Sequence, residues 1–113
     1  MKWIEINNTR ELEQYLEADK TKPLIIFKHS TRCSVSRMSK QLFEGEWKND
    51  KEVYLINVVE NRETSNSVAS KFKIQHESPQ ILVIKDGRCI YNASHSMIDA
   101  NTVSGLYVKS EPS

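Results

Sequence analysis

Trp3 to Ile6 alternates apolar and polar side chains as a half-buried strand does, and the period then lengthens: Leu12, Tyr15 and Leu16 recur at helical spacing. Asn8, followed three residues on by Glu11, supplies a capping box for that helix. Pro23 next opens Leu24-Ile25-Ile26-Phe27, a continuous apolar run expected of a strand covered on both faces. Five loop residues, 28–32, follow it. Val35, Met38 and Leu42 then recur at i, i+3 and i+7, which predicts a helix starting at Cys33 or Ser34, turned inward on those three residues and capped by Gly45.

Val53 to Val59 predicts another mostly apolar strand, and Val68, Ala69 and Phe72 mark a shorter helix after a polar stretch at Asn61 to Ser67. The alternation then stops. Ile81-Leu82-Val83-Ile84 and Cys89-Ile90-Tyr91 flank Lys85-Asp86-Gly87-Arg88, and Asp-Gly between two such runs signals a tight hairpin. A last helix starts at Asp99 as N-cap, with Ile98 and Val103 forming a hydrophobic staple and Gly105 weakening its interior. The predicted order implies an α/β domain: a mixed sheet, part parallel and part hairpin, with helices on both faces.

At 113 residues the chain suits one domain, 1–113, and is too short for two. With 38% apolar and 27% charged residues, and few Gly or Pro, neither disorder nor a disulfide-stapled scaffold is favoured. Sixteen basic and fifteen acidic side chains give a net charge of +1 without long runs of one sign, so nucleic acid and membranes are not expected partners. There is no apolar leader at the start and no run long enough to span a bilayer, so a cytoplasmic location is expected. The two cysteines, Cys33 and Cys89, are far apart in sequence and read as free thiols.

The chemistry concentrates at Lys28-His29-Ser30-Thr31-Arg32-Cys33-Ser34-Val35-Ser36. A helix N-terminus presents unpaired N–H groups and a partial positive charge, which favour thiolate over thiol; Arg32 and Lys28 would add to this. A lower thiol pKa raises the thiolate fraction but reduces nucleophilicity, so the gain appears mainly when the sulfur leaves a mixed disulfide. Cysteine at position 36 would attack such a mixed disulfide; Ser36 cannot, and at most would hydrogen-bond the thiolate. Cys89 lies beyond the hairpin at the far end of its strand, roughly 15 Å from Cys33 by strand length, outside the roughly 7 Å limit on Cα separation for a disulfide. It reads as a small strand hydrophobe.

Together with His76-Glu77-Ser78-Pro79-Gln80, this stretch resembles the monothiol bacilliredoxins, the YtxJ-like family, over nearly the whole domain. The resemblance implies a thioredoxin-like fold, with a cis bond at Ser78-Pro79 beside the active cysteine and backbone before the proline that pairs with substrate. It also implies a thiol-disulfide oxidoreductase that removes bacillithiol from mixed disulfides on client proteins. Bacillithiol is then the co-substrate, and no tightly bound cofactor is expected. Carried over, Cys33 is the nucleophile, Ser36 occupies the place of a resolving cysteine, and Arg32, Ser34, Ser78 and Pro79 form the substrate side, with Lys28 and His29 as possible thiolate-stabilising groups. Members of the family commonly have proline where this chain has Ser34, so the preorganised first helical turn is missing here.

Other features read more plainly. His29, His76 and His95 show no metal-binding spacing, and Cys33 has no second thiolate nearby for zinc. His29 reads equally as a solvated loop residue and as a neighbour of the site. Trp3 and Trp47 read as packing groups, and Arg37, Lys40 and Lys48 as a solvated helix face. Two alternatives stand beside the oxidoreductase. One is a glutaredoxin-like iron-sulfur carrier, although such carriers have Cys-Gly-Phe-Ser where this chain has Cys33-Ser34-Val35-Ser36. The other is a non-catalytic interaction protein that retains the fold.

Overall fold

The apolar run after Pro23 forms the central strand of a five-stranded sheet in the computed structural model, which describes residues 1–112. The strands are β1 (Trp3–Glu5), β2 (Leu24–His29), β3 (Val53–Asn57), β4 (Gln80–Lys85) and β5 (Arg88–Ser94). The helices are α1 (Thr9–Ala18), α2 (Ser34–Glu46), α3 (Arg62–Phe72) and α4 (Ala100–Ser110), with a 3₁₀ turn at His95–Met97 before α4. Strand order is β1-β3-β2-β4-β5: β1 and β2 run parallel to β3, while β4 is antiparallel to both β2 and β5.

Local signals set several of these boundaries. Asn8 Oδ1 accepts from the Glu11 N–H at 2.8 Å, and Glu11 Oε1 accepts from the Asn7 N–H at 2.8 Å, a reciprocal cap at the start of α1. Asp86 and Gly87 have φ values of 53° and 75°, the left-handed pair that a two-residue type I′ turn requires. Ile84 faces Cys89 and Val83 faces Tyr91, so Ile90 is an extra residue in β5, a bulge just past the turn. Asp99 caps α4, accepting from Asn101 N–H at 3.3 Å and from the Thr102 hydroxyl at 2.7 Å.

Alternation along β2 divides the core. Ile25 and Phe27 pack against Phe43 and Trp47 of the α2 region and Val103 and Tyr107 of α4, with Ile98 against the same cluster. Leu24 and Ile26 face the other layer, where Leu12 and Leu16 of α1 meet Val68 of α3. Helices therefore cover both faces of a mixed sheet.

Helix α2 departs from its predicted orientation. Val35, Met38 and Leu42 are 57%, 69% and 61% exposed, whereas Ser36, Phe43 and Trp47 are buried. The inward face is carried by aromatics: Phe43 meets Phe27 edge-on at 5.6 Å between ring centroids and stacks on Trp47 at 5.2 Å. Gly45 lies inside the last turn, and the end of the helix is set instead by Trp47, whose N–H donates to Phe43 O. Lys40 is not part of a solvated face; its ammonium lies 4.8 Å from the Trp3 ring centroid and pairs with Glu44 at 2.6 Å. α3 also begins earlier than predicted, so much of the polar stretch at Asn61 to Ser67 is helix, with Thr64 and Ser65 buried.

Candidate active site

Strand β2 does not end at Phe27. Lys28 and His29 continue it, pairing with Ile56 and Asn57 of β3, and both are buried. The residues predicted as loop are thus the end of the central strand, and the two side chains point to opposite faces.

His29 faces α2. Its Nδ1 lies 2.7 Å from Ser36 Oγ, and the Ser30 N–H donates to the same oxygen at 2.9 Å. Ser36 is fully buried. Its hydroxyl is therefore engaged by the end of β2 and the following loop. Burial, and then the nearby charges of Lys40 and Arg37, hold the His29 imidazole below the ordinary histidine range, so it is neutral at pH 7.

Cys33 is the N-cap of α2 and half-buried. Its backbone is extended, with φ −106° and ψ 119°, and its carbonyl accepts the first helical bond from Arg37 N–H at 3.0 Å. No side chain caps this end of the helix, which leaves the thiol at the positive pole of a 13-residue helix. Arg32 and Ser34 on either side are exposed, and the Arg37 guanidinium donates to Thr31 O at 2.9 Å across the loop.

Lys28 belongs to a different cluster. Its ammonium donates to Ser65 O at 3.0 Å and to His76 Nδ1 at 3.1 Å, on the face covered by α3. The expectation that Lys28 steadies the thiolate is corrected on this point, because the charge is committed to the opposite side of the sheet from α2. Burial draws the Lys28 ammonium down to about 8, and burial followed by the Lys28 charge lowers His76.

The Ser78-Pro79 bond is cis, and Pro79 is buried at the start of β4. Pro79 O accepts from the His95 N–H at 3.0 Å, which ties this loop to the turn before α4. Ser78 Oγ is buried without a hydrogen-bond partner.

Cys89 is at the other end of the sheet, opposite Ile84 and next to the hairpin turn. It is a half-buried free thiol whose pKa burial pushes up, and its sulfur donates to Tyr91 O. An open cleft of about 400 Å³ also lies at that distal end, lined by Tyr15, Leu24, Tyr54, Ile84 and Tyr107. Among the described residues, no group of three or more His, Cys, Asp or Glu is assembled to hold a metal.

Sequence reasoning missed two connections, His29 to Ser36 and Lys28 to Ser65 and His76. The first was open to discovery by carrying the period-2 alternation two residues past Phe27, which places His29 on the α2 side. The second depends on how α3 packs and has no local signal.

A five-stranded sheet in this order, a cysteine heading the helix after the central strand and a cis-proline heading β4 define a thioredoxin-fold protein with a redox thiol. The chain is similar to a protein described as a putative oxidoreductase with a thioredoxin fold, at 26% identity over 91% of each chain and a TM-score of 0.81. It shares the fold of Schistosoma mansoni thioredoxin, at 24% identity over 96% of this chain and 94% of that one and a TM-score of 0.72. Malassezia sympodialis thioredoxin is similar at 18% identity, over 96% and 90% of the two chains, with a TM-score of 0.70. More particularly, residues 4–103 match the monothiol bacilliredoxin BrxC family, and the chain belongs to that family.

Proposed function

We propose that the protein removes bacillithiol from mixed disulfides on oxidised client proteins, using Cys33 as its only reacting thiol. The observation that carries this reading is the asymmetry of the site. Cys33 sits half-exposed and uncapped at the head of α2, while position 36, where a second thiol would resolve the adduct, holds a buried serine bonded to His29 and Ser30.

In the first step the Cys33 thiolate attacks the bacillithiol sulfur of the client mixed disulfide. The client sulfur leaves with the bonding pair and takes up a proton, and Cys33 carries bacillithiol as a new disulfide. In the second step a bacillithiol thiolate attacks that bacillithiol sulfur; Cys33 departs as thiolate, and bacillithiol disulfide carries away the oxidising equivalents. Each step exchanges one S–S bond for another. A helix N-terminus favours the departure of Cys33 as an anion in the second step. The reading places the protein in a reducing cytoplasm, with client proteins and bacillithiol as partners and no tightly bound cofactor. No helix among the described residues is long and apolar enough to cross a membrane.

The direct test uses a purified client carrying one bacillithiol. Mixing with reduced protein should release the free client thiol and shift the protein mass by one bacillithiol, both abolished by Cys33→Ala. Release of client thiol at the same rate by the Cys33→Ala variant would refute the assignment.

A further inference from the structure

We infer that His29 is a positioning residue that holds the Ser36 hydroxyl proton away from Cys33, so that the Cys33 adduct discharges without help from Ser36. The inference rests on the reading that Cys33 forms and releases a mixed disulfide, and it assigns a role to the residue beneath that site.

The hydrogen-bond inventory carries it. Ser36 Oγ is fully buried and has two partners, Ser30 N–H at 2.9 Å and His29 Nδ1 at 2.7 Å. A backbone N–H can only donate, so the bond to Ser30 uses a lone pair of the hydroxyl and leaves its proton to be placed. Of these two partners only His29 Nδ1 can accept. The hydroxyl therefore donates to Nδ1, and the neutral ring carries its own proton on Nε2. Among the described residues, the buried side-chain atoms without a partner are Ser78 Oγ and Gln80 Oε1, and Ser36 Oγ is not one of them.

Cys33 is the N-cap of α2, and Ser36 lies three residues on in its first turn. Without His29 as acceptor, the buried hydroxyl proton would turn toward the sulfur leaving at position 33. A donor there stabilises the departing thiolate and speeds discharge. The imidazole prevents this, and the adduct persists until an outside thiol arrives at a rate set by that thiol. His29 is itself fixed: its carbonyl accepts from Val58 N–H at 2.8 Å, and its ring packs 6.5 Å from that of Phe27.

The test measures discharge of a preformed Cys33 adduct in a Cys89→Ala background. The adduct is made with an alkyl pyridyl disulfide, which transfers its alkylthio group to any accessible thiol and releases pyridinethione, so the experiment does not depend on specificity for bacillithiol. A small thiol is added; its thiolate attacks the outer sulfur, Cys33 leaves as thiolate and a new small disulfide forms. His29→Phe should speed discharge about tenfold, because a hydrogen bond to a charged sulfur is gained. Adding Ser36→Ala to His29→Phe should abolish that gain, so the double variant discharges at the Ser36→Ala rate. His29→Asn, whose amide oxygen offers an acceptor near the place of Nδ1, should return the rate to within about twofold of the parent. An effect of His29→Phe that is equal with and without Ser36, or no effect with Ser36 present, would overturn the inference. Nitrogen-15 spectra of the parent give a check that needs no variant: the Nε2–H tautomer is expected, and an Nδ1–H tautomer contradicts it. Failure of the function reading looks different, since there the alkylthio adduct forms while bacillithiolated client is left untouched.

Discussion

Lys28 is fully buried with a carbonyl and a neutral imidazole as its partners. Folding thus takes an ammonium out of water without giving it a carboxylate, and its pKa falls from 10.5 to about 8. Between those values the unfolded chain holds a proton that the native chain has released, so this residue makes stability rise with pH from about 8 to about 10.5. Cys89, Tyr54 and Tyr107 have raised pKa values and act in the opposite sense at alkaline pH, which makes the difference between parent and Lys28→Met the informative quantity. Urea unfolding should show the parent gaining roughly 2–3 kcal/mol on the variant between pH 7.5 and 10. Equal pH dependence in the two proteins would show that Lys28 keeps its proton when buried. At Ser36 the expectation concerns chemistry. Ser36→Cys places a thiol where His29 Nδ1 now faces a hydroxyl, and a Cys33–bacillithiol adduct should then be expelled with formation of an internal disulfide. Intact mass showing a persistent single adduct in that variant would contradict the explanation of why the parent needs an outside thiol.

Most elements were legible before the structure, and the exceptions have physical causes. The Asn8 cap, the Asp86-Gly87 turn and the Asp99 cap are local devices whose partners lie within a few residues, so the sequence displays them whole. α2 shows the limit of periodicity. Two stripes run along it, Val35-Met38-Leu42 and Ser36-Phe43-Trp47, offset by one residue, and apolar spacing alone favoured the aliphatic one. The aromatic pair wins because Phe43 and Trp47 fill the layer against Phe27, while Ser36 meets polar groups at the end of β2. Lys28, His29 and Ser65 were misread for a related reason: buried polar residues look like loop until their tertiary partners are known. The orientation of α2 is testable in denaturant. Phe43→Ala should cost about 3–5 kcal/mol, whereas Met38→Gln and Leu42→Gln should each change stability by no more than about 0.5 kcal/mol. Comparable losses at all three positions would mean that the aliphatic stripe faces inward.

At the scale of the molecule, the sheet determines which thiols can cooperate. β2 carries the chain toward Cys33, and antiparallel β4 carries it away again to the hairpin, so Cys89 arrives at the opposite end and both thiols are free. An open cleft of about 400 Å³ is at that distal end too, away from the reactive cysteine. This separation was readable from element order, because strand length alone places the hairpin beyond disulfide reach. The remaining question is which small thiol Cys33 accepts. Intact mass after incubating the reduced protein with bacillithiol disulfide and, separately, glutathione disulfide answers it most directly, with Cys33→Ala as control. The expected result is one bacillithiol adduct that requires Cys33 and forms much faster than the glutathione adduct. No adduct, an adduct on Cys89, or equal rates with both disulfides would contradict a bacillithiol-specific function.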